Sequence, residues 1–317
     1  MDQTEKSIFE QFEFWKSAPA PGAIAQPGVD YIVVGCGTSY NLAMSAAVAL
    51  NEHGLSAIAV PGNEWLRRPR SYKAALQNAH VIVISRSGET TEAVQAASAS
   101  RSNGLPVTAI TCEGASSLVV NADQTFVAKT HPDEGIVMTC SASLMLLLAL
   151  RFAGVDAETS AEAAQNLLAR LDSYKASYLR GRTHFVFLGG GLLYGIAAEG
   201  ALKLQEMSLT TTETYHPLEY RHGPISVADH RSLVIMLYHP DTRDQEEKLA
   251  AELSGFGALV LGFGGPGDLS LEIRGTDEVR GLVCLPALQL LGLELARTRG
   301  LDPRAPRHLT KVVKTVS

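Results

Sequence analysis

Seven consecutive residues, Ser85-Arg86-Ser87-Gly88-Glu89-Thr90-Thr91, carry four hydroxyls, a guanidinium and a glycine. They follow the apolar run HVIVI and lead into a helix-forming stretch. A helix start offers unpaired backbone N–H groups and the positive end of the helix dipole, so an anion is favoured there. Hydroxyls add donors and Arg86 adds charge, which together suit a phosphate monoester. A plain N-cap uses the same residue types. One cap needs one hydroxyl, however, and this loop holds four. The GxxxxGK[ST] pattern is absent, which argues against a nucleoside triphosphate.

A second group lies in EGALKLQEMS. Glu199, Lys203 and Glu206 are spaced by four and then three, which puts them on one helix face. The spacing suits a solvent-facing ion-pair ladder or a carboxylate base with a supporting lysine. Glu213, Glu219, Arg221 and His222 follow in TETYHPLEYRHGPIS. His222 precedes Gly223-Pro224 and so sits on a turn, as a surface histidine or as an acid/base group.

A third loop, Gly35-Cys36-Gly37-Thr38-Ser39, opens like a dinucleotide fingerprint. Tyr40 stands where the third glycine belongs, and the next strand, SAIAVP, ends without an acidic residue. No cofactor is predicted. Cys36 reads as a small buried thiol. No HxxxH or HExxH spacing occurs and Cys and His do not cluster, so no metal is predicted. No GxSxG elbow supports a serine hydrolase. Chemistry on a sugar phosphate by a Glu base, a His and a Lys fits best.

These loops need strands and helices to hold them. YIVVGCGTSYNLAMSAAVALN and HFVFLGGGLLYGIAAEGALKLQ are two versions of one strand–turn–helix unit. Aligning Gly35 with Gly189 gives an offset of 154 residues and matches Gly37 with Gly191, Tyr40 with Tyr194 and Ala43 with Ala197. Strands are predicted at 31–35, 57–61, 80–85, 107–111 and 125–128, with helices at 40–52, 90–103 and 137–153. In the second copy the strands are 184–188, 211–215, 232–237, 258–261 and 281–285, and the helices 194–208, 244–255 and 286–299. Strands alternating with helices predict an α/β chain with two doubly wound parallel sheets. Residues 156–178 read as one amphipathic connector helix and 7–15 as another helix. Residues 61–70 match no regular element.

Composition agrees. The chain has 317 residues, 46% hydrophobic and 19% charged, with 28 glycines. That is a globular balance and excludes disorder. The net charge is -6 and no Lys/Arg run occurs, so nucleic acid is not an expected partner. The four cysteines are scattered, as in a reduced cytoplasmic protein. The apolar stretch 143–150 is too short to span a membrane, and no membrane association is expected.

GCGTSY, ISRSGETTEAV, EGALKLQEMS, YRHGP and the tail LDPRAPRHLTKVVKTVS resemble the isomerase half of glucosamine-6-phosphate synthase. That half consists of two sugar-isomerase (SIS) domains. The resemblance implies a helical arm at 1–29, a phosphate-binding SIS domain at 30–155, a connector at 156–180, a catalytic SIS domain at 181–300 and a tail over the active site at 301–317. It implies phosphate binding by Ser39, Ser85, Ser87 and Thr90. Cys36, Gly37, Thr38, Arg86 and Ile136 lie in the same substrate-binding loops. Glu206 matches the base that moves a proton between C1 and C2, with Glu199 and Lys203 in support. His222 matches the ring-opening histidine, contributed by the partner subunit of a homodimer. Lys311 matches a tail lysine that meets the sugar.

The match is incomplete. About 30 residues precede the first strand, so no glutaminase domain is expected. Arg86 stands where the synthase has Gln, Cys140 where it has Lys and Met138 where it has Ser. The expected activity is that of a stand-alone deaminase or aldose–ketose isomerase of a 6-phosphorylated amino sugar. A fructosamine-6-phosphate deglycase, a pure phosphosugar isomerase and a non-catalytic phosphosugar sensor are the alternatives.

Overall fold

The structure, a computed structural model, describes residues 1–72 and 77–313. It divides into two compact units, Glu10–Glu158 with the tail from Thr310, and Met1–Phe9 with Thr159–Leu309.

The chain opens with two short helices, α1 (Gln3–Phe9) and α2 (Gln11–Ser17). The single helix expected at 7–15 is broken at Glu10, whose carboxylate lies 3.1 Å from the His131 ring. The arm predicted at 1–29 is therefore shared. Trp15 of α2 is buried in the first unit, whereas α1 belongs to the second, where Arg297 pairs with Asp2 at 2.9 Å and Glu5 at 2.8 Å.

The first unit follows the predicted alternation: β1 (Asp30–Gly35), α3 (Thr38–Glu52), β2 (Ser56–Pro61), α4 (Gly62–Arg67), β3 (Ala79–Ser85), α5 (Thr91–Ser102), β4 (Val107–Thr111), α6 (Ser117–Val120), β5 (Gln124–Val127) and α7 (Cys140–Ala153). Helix α4 occupies the segment that sequence pattern left unassigned. The strands pair in parallel in the order β2-β1-β3-β4-β5. Both faces are covered, so β1, β3 and β4 are near-continuous Val/Ile runs rather than alternating ones. Ile32, Val34, Val81, Val83 and Val107 form one core with Trp65, Ala93 and Leu118.

The second unit contains α8 (Ser160–Asp172), β6 (His184–Gly189), α9 (Leu193–Ser208), β7 (Thr212–Tyr215), β8 (Ser232–Leu237), α10 (Arg243–Gly255), β9 (Leu259–Phe263), β10 (Leu269–Leu271) and α11 (Arg280–Thr298). Its parallel order, β10-β9-β8-β6-β7, repeats that of the first sheet. Val34 pairs with Val83 and Leu188 with Met236, so an offset of 154 residues carries β1 onto β6 and one of 153 carries β3 onto β8.

Two expectations fail here. Residues 281–285 are not a strand; they begin α11, which runs through Pro286. An interior proline disfavours a helix by about 3 kcal/mol or more, yet every residue from 281 to 296 is buried. A short apolar run fits a buried strand or a buried helix equally, and burial decided for the helix. The fifth strand is the three-residue β10. The joined helix, with its preceding turn, is long and apolar enough to cross a membrane, but 94% of its apolar window is buried inside the fold. The connector also differs. Helix α8 stops at Asp172, because Lys175 and Ala176 take left-handed φ of 50° and 55°. Tyr178 then turns inward and donates to the Glu294 carboxylate.

Gly292 sets the approach of α11 to α9. A Cβ there would lie 2.9 Å from the Lys203 carbonyl oxygen. Gly292→Val should lower unfolding stability by about 1–3 kcal/mol, read from urea denaturation; an unchanged midpoint would refute this contact. Burial lifts Glu294 to about 7, against the Tyr178 hydrogen bond that favours the carboxylate. A carboxyl raised in the folded state stabilises it below its unfolded value near 4.5, and this contribution is lost as pH rises through about 7. Glu294→Gln should therefore flatten the fall in thermal midpoint between pH 5 and 8.

Candidate active site

In the first unit, the loops after β1 and β3 leave the carboxyl ends of adjacent parallel strands. This is the switch point at which doubly wound sheets bind ligands. Gly35 must be a glycine, because a Cβ would lie 2.3 Å from the Ser39 carbonyl. Gly37 has φ 55° and caps α3, which starts with buried Thr38 and Ser39. Cys36 packs under Gly62, and burial together with the Glu92 charge pushes its thiol up to about 11. It stays protonated at neutral pH, as a packing residue does.

The loop after β3 is tied down by its backbone. The Arg86 carbonyl accepts from the Cys112 amide at 3.1 Å and the Thr111 hydroxyl at 3.2 Å, and the Gly88 carbonyl from the Leu118 amide at 2.9 Å. Glu89 turns away and accepts from the Ser117 amide and hydroxyl. Thr90 caps α5 through its backbone. The Ser87 hydroxyl accepts from the Glu89 amide at 3.2 Å. Among the described residues, the Ser39, Ser85 and Thr90 hydroxyls make no hydrogen bond to protein. The frame is rigid and its hydroxyls are available, which suits an incoming phosphate.

Arg86 does something else. Its buried guanidinium donates to the Gly135 carbonyl at 3.1 Å and the Lys311 carbonyl at 3.0 Å, and lies 3.8 Å from Glu134. Ile136 is half-buried beside Gly135. The Lys311 ammonium donates to the Glu134 carbonyl at 3.3 Å. The first unit thus gathers Cys36, Gly37, Thr38, Ser39, Ser85, Arg86, Ser87, Thr90, Ile136 and Lys311 around one sheet.

In the second unit, Lys203 is fully buried on α9. Its ammonium lies 3.3 Å from Glu199 and 2.5 Å from Glu206. Glu199 is buried too, while the Glu206 side chain keeps 19% exposure. Burial pulls the Lys203 ammonium down, but the two carboxylates outweigh it and hold the group above its ordinary value. The solvent-facing ladder is thereby excluded for Glu199 and Lys203. What results is a carboxylate steered by a buried cation and open on one side.

His222 follows a short 3-10 turn (Glu219–Arg221) and is exposed. Fully buried Tyr220 anchors that turn, and Arg221 pairs with Glu252 at 3.0 Å.

Two buried carboxylates escaped sequence reasoning. Glu134 accepts from the Thr139 amide and hydroxyl, the Ser141 amide and the Thr130 hydroxyl, and so shapes the 130–141 loop. Glu246, raised by burial, accepts from the His239 amide and the Thr242 hydroxyl, each at 2.8 Å. It lies in the first turn of α10, after the loop that follows β8 as the hydroxyl loop follows β3. Neither stands in a recognisable motif; a Glu four residues after the N-cap Thr242 was the only available signal for the latter.

The SIS domain matches residues 25–153 and 178–268. Glutamine–fructose-6-phosphate aminotransferase from Pyrobaculum aerophilum is 31% identical over 307 residues, covering 89% of this chain and 50% of that protein. The chain spans about half the length of the curated relatives it matches. Among solved structures, glucosamine-6-phosphate deaminase from Thermotoga maritima is 30% identical, with a TM-score of 0.83 over 98% of this chain and 99% of that one. Tagatose-6-phosphate ketose/aldose isomerase from Escherichia coli, 24% identical with a TM-score of 0.83 over 95% of each chain, shares the fold. The chain belongs to the SIS-domain family, and its two copies are tandem SIS domains.

Proposed function

We propose that this protein is a deaminase and aldose–ketose isomerase of a 6-phosphorylated amino sugar, glucosamine-6-phosphate or its galacto epimer. The observation that carries the reading is the Glu199–Lys203–Glu206 array, in which a buried ammonium holds one carboxylate that still reaches solvent. The likeness to the Thermotoga deaminase over nearly the full length of both chains supports it.

The phosphate rests on the Ser39, Ser85, Ser87 and Thr90 hydroxyls and the N–H groups at the starts of α3 and α5. His222 opens the sugar ring and exposes the C1 aldehyde. Glu206 takes the proton from C2, leaving an enolamine, and returns a proton to C1. One carboxylate serves both carbons because they are adjacent. The product is the C2 imine of the ketose. Water adds at C2, the C–N bond breaks, and ammonia and the ketose phosphate leave. Lys203, 2.5 Å away, keeps Glu206 oriented. Lys311 lies beside the phosphate loop and is the amine available to C2 of the ketose. His222 acts from a partner subunit in a homodimer, in keeping with its exposure within one chain.

Glu206→Gln should lower ammonia release from the substrate by about 10²–10⁴-fold and leave phosphosugar affinity within about threefold, by coupled assay and calorimetry. Retained turnover would sink the role of Glu206. Binding of several phosphosugars by wild-type protein with turnover of none would favour a sensor. Mixing His222→Ala chains with Glu206→Gln chains should restore part of the activity if the histidine crosses subunits; two dead variants that stay dead together would contradict the shared site.

A further inference from the structure

We propose that Arg86 is a positioning residue for the C-terminal tail, holding Lys311 in place, and not a phosphate ligand. The backbone of Arg86 is fixed between Ser85 and Ser87 by the Thr111 hydroxyl and Cys112 amide. Its side chain is 8% exposed and already committed. One nitrogen of the guanidinium donates to the Gly135 carbonyl and another to the Lys311 carbonyl, at 3.1 and 3.0 Å.

The anchors at the far end are firm. The four donors on the Glu134 carboxylate fix the 134–135 backbone. That backbone receives both Arg86, at Gly135, and the Lys311 ammonium, at the Glu134 carbonyl. A second tether lies two residues further on, where the Val313 carbonyl accepts from the Thr91 amide at 3.3 Å. The tail is thus pinned to the loop that carries the phosphate hydroxyls, and Arg86 is the pin nearest Lys311. The planar fork of a guanidinium is preorganised to serve two separated carbonyls at once. A lysine would keep the charge beside Glu134 but lose the two-point geometry.

The inference rests on the proposed role of Lys311 for its catalytic meaning, but the clamp can be measured without it. The peptide bond that trypsin would cut after Lys311 is the one whose carbonyl Arg86 holds. In Arg86→Lys and Arg86→Ala, cleavage after Lys311 should accelerate about tenfold, since a hydrogen bond to a charged donor is worth about that factor or more. Cleavage after exposed Arg274 serves as the internal reference. Affinity for inorganic phosphate should stay within about threefold. Borohydride trapping of a ketose phosphate on Lys311 should fall about tenfold. Unchanged cleavage after Lys311 in Arg86→Lys, which keeps the charge next to Glu134, overturns the proposal. So does a tenfold loss of phosphate affinity with the tail still protected. If wild-type protein traps no sugar on Lys311 while Arg86→Lys still frees the tail, the role of Lys311 fails and the clamp stands.

Discussion

The second SIS domain is organised around a charge with no water. Lys203 is buried completely, and an isolated ammonium in such a place carries a penalty of several kcal/mol. Glu199 and Glu206, one turn to either side on α9, offset that penalty. The arrangement restricts its surroundings. Gly292 must be a glycine so that α11 can close over the Lys203 backbone. The reward is one oriented carboxylate at an open edge, a suitable carrier for a proton moved over a single bond.

The two domains share a topology and differ in what they place at the switch point. In the first, the Ser39, Ser85 and Thr90 hydroxyls make no hydrogen bond to protein among the described residues, while the Arg86 and Gly88 carbonyls are engaged by neighbouring segments. In the second, the Glu246 carboxylate accepts from the His239 amide and the Thr242 hydroxyl. The serines and the glycine of SRSGETT have no counterpart in YHPDTR.

Much of this was legible in residue order. The glycine turns at 35–37 and 189–191, the hydroxyl loop and the four-and-three spacing of Glu199, Lys203 and Glu206 all report local geometry, which short segments encode. Burial is not local, and the errors follow from that. Residues 281–285 look like a strand until their neighbours on α9 are known. The breaks at Glu10 and at Lys175-Ala176 come from tertiary anchors, His131 and the Tyr178–Glu294 pair, more than 100 residues away in sequence. Arg86 looked like a phosphate ligand because hydroxyls surround it in the sequence; only the positions of Gly135 and Lys311, 49 and 225 residues distant, show where its guanidinium goes.

The central claim is that a single carboxylate, Glu206, carries the proton from C2 to C1. Turnover in deuterium oxide, followed by NMR of the ketose phosphate, tests it most directly. A hydrogen carried by one carboxylate reaches C1 from one face, whether or not it exchanges with solvent on the way, so any deuterium incorporated at C1 should occupy a single prochiral position. Deuterium distributed over both prochiral positions would contradict the account.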